Sequence, residues 1–182
     1  MKALVQGNAD LVEIQEALVS DAKTLSGIQR DVWITTYINK EYGITKEDIL
    51  GKGMGSPIHI AKWEETIVKP QSKTFIAKVN GIIVGFCFAK KEDNLSRIGS
   101  IYILKEFQGK GLGTKLIENA IPYLGREKPI MLEVATFNQR AIHFYKKCGF
   151  EETGNEIAEE QMVRLQSGIV LPEIEMVLSA VS

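Results

Sequence analysis

The dipeptide Asn80-Gly81, set between two runs rich in β-branched and aromatic residues, constrains this chain more than any other feature. Thr74-Phe75-Ile76-Ala77-Lys78-Val79 precedes it and Ile82 through Ala89 follows it. Asn and Gly tolerate the positive φ that a two-residue hairpin turn needs, so the two runs read as neighbouring antiparallel strands. A turn at Asp93-Asn94 and an apolar run from Ile98 to Leu104 extend the pair to a three-stranded meander. A chain with this centre builds an antiparallel sheet, and the segments on either side of it must cover that sheet's faces.

Those segments read as a mixture of strands and helices. Val12-Glu13-Ile14-Gln15-Glu16 alternates apolar with polar residues as a half-buried strand does, and Ser20 then reads as the N-cap of a helix carrying Leu25, Ile28, Val32, Trp33 and Tyr37 up to Gly43. Thr45-Lys46-Glu47-Asp48 resembles a capping box for a short second helix, ended by Gly51, Gly53 and Gly55. Ser56-Pro57 caps a third, through Trp63 to Val68. Beyond the meander, Leu116, Ile117, Ala120, Ile121 and Leu124 form one face of a helix running from Gly113 to Gly125. A strand over Ile130 to Val134 leads to Asn138 and a helix with Ile142, Tyr145 and Cys148 on one side, closed by Gly149. The tail holds two weaker strand signals, Glu151 to Val163 and Ile169 to Leu178, joined at Gln166-Ser167-Gly168. The expected fold is α/β, a mixed sheet in which a meander passes into a βαβ-like half, with helices on both faces.

The 182 residues, 45% of them hydrophobic, suit one domain over residues 12 to 182 behind a short N-terminal extension, residues 1 to 11. Lys and Arg total 22 against 23 for Asp and Glu, so no surplus of positive charge is available to hold a nucleic acid. The apolar run Ile82 to Ala89 is far shorter than the roughly 18 residues of a membrane span, and Met1 to Asp10 lacks the apolar centre of a signal peptide. The expected location is the cytoplasm. Cys87 and Cys148 read as core thiols, and His59 and His143 stand apart with no metal-ligand spacing, so no metal is expected.

The run that carries chemistry is Ile101-Tyr102-Ile103-Leu104-Lys105-Glu106-Phe107-Gln108-Gly109-Lys110-Gly111-Leu112-Gly113-Thr114-Lys115-Leu116, a strand, a glycine loop and a helix start. Glycines let backbone N–H groups converge, and the helix N-terminus adds its positive dipole end, so a pyrophosphate fits there. Glycines also serve as plain turn residues. The run lacks the Gly-Lys-Ser/Thr ending of a P-loop, and it follows a meander instead of opening a βαβ unit, so neither ATP nor NAD is the expected ligand.

Gln108-Gly109-Lys110-Gly111-Leu112-Gly113 resembles the Gln/Arg-x-x-Gly-x-Gly/Ala motif of the Gcn5-related N-acetyltransferase (GNAT) family. Leu132-Glu133-Val134 followed by Asn138, Ala141, Phe144, Tyr145, Gly149 and Phe150 is similar to that family's second familiar stretch. The likeness extends over about residues 12 to 178, taking in Trp33 to Tyr37 and Leu171-Pro172-Glu173-Ile174. It implies a mainly antiparallel seven-stranded sheet whose fourth and fifth strands splay apart around the pantetheine arm of acetyl-CoA. It further implies that N–H groups of Gln108, Gly109, Gly111, Gly113 and Thr114 hold the pyrophosphate, that Ile103 offers its backbone to pantetheine, and that Ile103 or Leu104 N–H polarises the thioester carbonyl.

The implied reaction moves an acetyl group from acetyl-CoA to a primary amine of a small molecule, such as a polyamine, an amino acid or an amino sugar, by direct attack. By family analogy Tyr145 protonates the departing sulfur, and Asn138 both caps its helix and contacts the cofactor. Many relatives carry a Glu early in the fourth strand where this chain has Arg97. Glu133 can serve as the base, directly or through water, although a strand carboxylate is also ordinary surface. Trp33 and Tyr37 suit either an acceptor pocket or plain packing on the sheet. Cys148 lacks a partner His and is not expected to act as a nucleophile. Two other readings remain open, a protein N-terminal or lysine acetyltransferase and a non-catalytic acyl-CoA sensor. Members of the family often dimerise, for which the C-terminal strands are the expected contact elements.

Overall fold

Asn80 and Gly81 both take left-handed backbone angles, with φ of 52° and 79°, and join β2 (Ser72–Val79) to β3 (Ile82–Lys91) in a tight antiparallel hairpin. The computed structural model describes residues 10 to 181; the expected N-terminal extension lies outside the described residues over positions 1 to 9. β1 (Val12–Glu16) pairs antiparallel with β2, and β4 (Ser96–Ile103) completes the meander against β3. β5 (Ile130–Ala135), β6 (Glu151–Glu152) and β7 (Glu173–Leu178) form the other half, giving seven strands in the order β1-β2-β3-β4-β5-β7-β6. The two halves meet in a parallel pairing of only two residue pairs, Ser96 with Ile130 and Arg97 with Met131.

Helices cover both faces, as the sequence implies. On one face, α4 (Leu112–Leu124) and α5 (Gln139–Lys147) bury Leu116, Ile117, Ala120, Leu124, Ile142 and Tyr145 against Phe75, Cys87, Ile98, Leu132 and Met176. On the other, α1 (Ala22–Thr36) and α3 (Pro57–Ile67) pack Leu25, Ile28, Val32 and Trp63 onto Ile76 and Phe86. The alternation of Phe75, Ile76 and Ala77 between these cores is the period-two signature of a strand buried on both sides. Cys87 is fully buried and Cys148 packs at the core's edge.

Local chemistry sets most boundaries. α2 (Lys46–Leu50) starts on a complete capping box, with Thr45 N–H donating to Asp48 Oδ2 at 3.0 Å and Asp48 N–H to Thr45 Oγ1 at 3.2 Å. Ser56 Oγ accepts from His59 N–H at the start of α3. Ser20, in contrast, is no cap: a 3-10 turn covers Val19–Asp21, and Asp21 accepts Leu18 N–H at 2.8 Å before α1 begins. The tail also departs from expectation. Only Glu151 and Glu152 form a strand where Glu151 to Val163 had strand character, and the turn at Gln166-Ser167-Gly168 closes an isolated bridge between Arg164 and Val170. β7 then inserts between β5 and β6, a placement fixed by pairing with β5 over six residue pairs. No described helix is long and apolar enough to cross a membrane.

Candidate active site

Pairing between β4 and β5 stops after Arg97, so the strands part and a gap opens through the sheet. It widens into a cleft of about 1030 Å³ that reaches both faces. Ile103 faces Gly85 across β3 while Leu104 N–H bonds to Val84 carbonyl at 2.9 Å, which makes Ile103 and Gly85 a non-hydrogen-bonded pair. The Ile103 N–H and carbonyl therefore turn away from β3, towards the gap. Gln108 Nε2 fills the carbonyl at 2.8 Å and leaves the N–H facing open space.

The glycine loop lies beside this N–H. Gly109 and Gly111 both have φ of 79°, and a Cβ at Gly111 would meet nothing within 4 Å, so the loop is shaped by backbone with room in front of it. The N–H groups of Gly109, Gly111, Gly113 and Thr114 have no protein acceptor among the described residues, and α4 begins without a side-chain cap. A Cβ at Gly113 would come within 3.0 Å of Phe144 Cζ, so glycine there lets α4 approach α5. Arg140, on α5, reaches Nη2 to within 3.7 Å of where a Gly109 Cβ would stand. Unpaired donors, a helix dipole and a guanidinium suit a pyrophosphate, so the loop fits the anionic part of acetyl-CoA.

Tyr145 enters the gap from the α4 and α5 face. It is 7% exposed, lines the cleft and is wedged between Phe144 and Phe150 at ring distances of 5.3 and 5.9 Å. Burial lifts its phenol well above the usual tyrosine value, so it is a neutral hydrogen-bond donor at any physiological pH. Asn138 caps α5 through Ala141 N–H at 3.2 Å and also lines the cleft.

The opposite face supplies the carboxyls. Alternation along β5 and β7 places Glu133 and Glu173 on the same side, diagonal to each other, since Glu133 pairs with Glu175 and Ala135 with Glu173. Glu133 is half exposed and held by Arg97 Nη1 at 3.1 Å. Glu173 is partly buried at the cleft wall, and burial first, with the Glu133 charge second, pushes its carboxyl up to about 7. Around it stand Tyr37 and Tyr102, which the same burial keeps protonated; Tyr102 rises to about 12 and its hydroxyl accepts from Trp33 Nε1 at 2.8 Å.

Nine of the ten residues singled out in the sequence thus line one cleft: Ile103, Gln108, Gly109, Gly111, Gly113, Thr114, Glu133, Asn138 and Tyr145. Leu104 does not; it points to the α1 side and its N–H is taken by Val84. Gln108 braces the loop rather than cradling an anion, because its backbone N–H donates to Lys105 carbonyl at 3.2 Å. Trp33 and Tyr37 do both things expected of them, packing in the core and walling the cleft. Glu173 is the cleft carboxyl that sequence reasoning missed. Its only signal was membership of the run Leu171-Pro172-Glu173-Ile174, because its environment is assembled from α1, β4, β5 and β7.

Residues 34 to 150 match the model of the acetyltransferase (GNAT) family. An uncharacterised N-acetyltransferase of Methanocaldococcus jannaschii is 38% identical over 87 residues, covering 43% of this chain and 38% of that one. The spermidine N(1)-acetyltransferase of Vibrio cholerae is 33% identical over 106 residues, covering 56% of this chain and 57% of that enzyme. The chain therefore spans well under two thirds of the length of both relatives. In fold it is similar to the PaiA N-acetyltransferase of Thermoplasma acidophilum, solved in complex with coenzyme A, with a TM-score of 0.74, 20% identity, and coverage of 94% of this chain and 99% of that one. The splayed seven-stranded sheet, the glycine cradle and this family match together make the chain a member of the GNAT acetyltransferase family.

Proposed function

We propose that the protein transfers the acetyl group of acetyl-CoA to the primary amine of a small molecule by direct attack, with Glu173 as base and Tyr145 as donor to the sulfur. The observation that carries this reading is the convergence of two proton-handling groups on one gap. Glu173 arrives from the α1 face and Tyr145 from the α5 face, and the unpaired Ile103 N–H lies between the two halves of the sheet.

Acetyl-CoA would supply an activated acyl carbon and a thiolate leaving group, and Gly109, Gly111, Gly113, Thr114 and Arg140 would hold its phosphates. An alkylammonium of pKa about 10.4 has no lone pair at pH 7 and must first lose a proton. Glu173 stands about 3 pKa units below such an amine, where an ordinary glutamate stands about 6 below, so it is the better matched base. Glu133 acts on Glu173 through its charge, its own carboxylate being paired with Arg97. As the C–N bond forms and the C–S bond breaks, the Ile103 N–H receives the charge that gathers on the carbonyl oxygen. The nitrogen sheds its second proton as the sulfur departs; the Tyr145 hydroxyl, hydrogen-bonded to that sulfur, would pass it a proton and be restored by the one the nitrogen sheds. Walls from α1, α3 and the segment from Val163 to Leu171 suit a small amine better than an extended peptide.

A thiol-release assay with acetyl-CoA and a panel of amines tests the proposal. Acceptor-dependent release that falls about 10²-fold in Tyr145→Phe is the expected result. Tight acetyl-CoA binding with no acceptor-dependent release across the panel would overturn it in favour of an acyl-CoA sensor.

A further inference from the structure

Away from the gap the cleft runs between α1 and α3, where Gln29, His59 and Lys62 face it. Each of these is fixed as a hydrogen-bond donor. Ser26 Oγ lies 2.7 Å from His59 Nδ1 and accepts Gly55 N–H at 2.8 Å. With that N–H on one lone pair, the hydroxyl proton has Nδ1 as its acceptor, and Ser26 is fully buried, so water does not compete for it. A neutral imidazole that accepts at Nδ1 carries its proton on Nε2. Burial, and secondarily the Lys62 charge, push His59 below its ordinary value, which keeps the ring neutral at pH 7.

Gln29 is oriented in the same way. Trp63 Nε1 donates to its Oε1 at 3.1 Å, which leaves the amide NH2 for a ligand. Lys62 adds an ammonium one helical turn from His59. Three donors, with the Gln29 carbonyl turned to Trp63, suit an oxygen anion and disfavour a second ammonium. Among the described residues, the carboxyls that line the cleft are Glu133 and Glu173; the first is engaged by Arg97 and the second is assigned to the reacting amine. A polycationic acceptor would find no free counter-charge on the α1 and α3 walls.

We infer that the acceptor amine carries an anionic oxygen group, a carboxylate or a phosphate, seated by Gln29, His59 and Lys62 between α1 and α3 while its amine reaches the β4–β5 gap. The inference rests on the acetyl-transfer reading of the same cleft. It also sets this chain apart from the Vibrio cholerae relative, whose name gives spermidine as its substrate.

The test uses matched acceptors: α-amino acids against their amides, amino-sugar phosphates against the free amino sugars, and spermidine as the polycation. Thiol release gives kcat/KM, and quenching of Trp33 and Trp63 fluorescence reads binding without turnover. The expected result is at least a tenfold advantage for the anionic member of one series, which identifies carboxylate or phosphate, and about a tenfold loss of that advantage in Lys62→Ala and in Gln29→Glu. Neutral members or spermidine performing as well in both readouts overturns the inference, as does an anionic advantage that survives both substitutions, or an absence of binding and turnover for every anionic member. Anion-dependent binding that the variants lose, with no thiol release from any acceptor, would support the anion subsite and overturn the acetyl-transfer reading alone.

Discussion

A glutamate held near neutrality affects rate and stability in opposite directions. Because the folded protein raises the Glu173 pKa to about 7, above its unfolded value of about 4.3, the stability linked to this group is fully present below pH 4 and is lost as pH rises through 7. Glu173→Gln is therefore expected to raise the melting temperature relative to wild type at pH 8 and to leave it unchanged near pH 4, as read by calorimetry. In the same variant kcat/KM is expected to drop about 10²-fold and to lose the rising limb with its apparent pKa of about 7. Glu133→Gln separates tuning from direct catalysis: with Glu133 as the tuning charge the limb moves to lower pH, and with Glu133 as the base it disappears. None of this was legible from the sequence, which singled out Glu133 as the candidate base and gave Glu173 no role beyond its place in the run Leu171-Pro172-Glu173-Ile174. Which one is buried depends on β7 lying against β5, with Tyr37 and Tyr102 arriving from α1 and β4.

Elements whose signals are local were read well, and those set by pairing were not. The Asn80-Gly81 hairpin and the caps at Thr45 and Ser56 each depend on four or fewer consecutive residues, and each stands where the sequence puts it. Ser20 lost its role because Asp21, one residue later, provides a carboxylate at the same turn. The tail carried strand character from Glu151 to Val163, but β7 offers β6 only two residue pairs, and the remainder holds a 3-10 turn over Glu159–Gln161 before Val163 reaches the cleft. Asn138 is an element whose two roles can be measured apart. Removing its bond to Ala141 N–H by Asn138→Ala is expected to lower stability by about 1 kcal/mol in urea denaturation, and a loss of acetyl-CoA affinity larger than about tenfold would add direct contact to capping.

At the scale of the whole molecule, the sheet is two halves hinged at two residue pairs, and the cofactor is expected to lie where pairing stops. The Ile103 amide faces this gap and is expected to exchange quickly with solvent deuterium in the free protein, then to be strongly protected when acetyl-CoA is added. Unchanged exchange at Ile103 under saturating acetyl-CoA would place the pantetheine arm elsewhere. Ligand bound only by the folded state at 100 times its Kd should also add about 2.7 kcal/mol to unfolding stability.

The insertion of β7 between β5 and β6 has a consequence for the protein's birth. A ribosome releases the glycine cradle, Tyr145 and β6 before it releases Glu173, and β6 has β7 as its partner strand. Glu173 therefore comes beside Glu133 only once β7 is paired with β5, after the glycine loop and Tyr145 have both been made. On the proposed reading, the loop that would hold the donor precedes in synthesis the carboxyl that would deprotonate the acceptor.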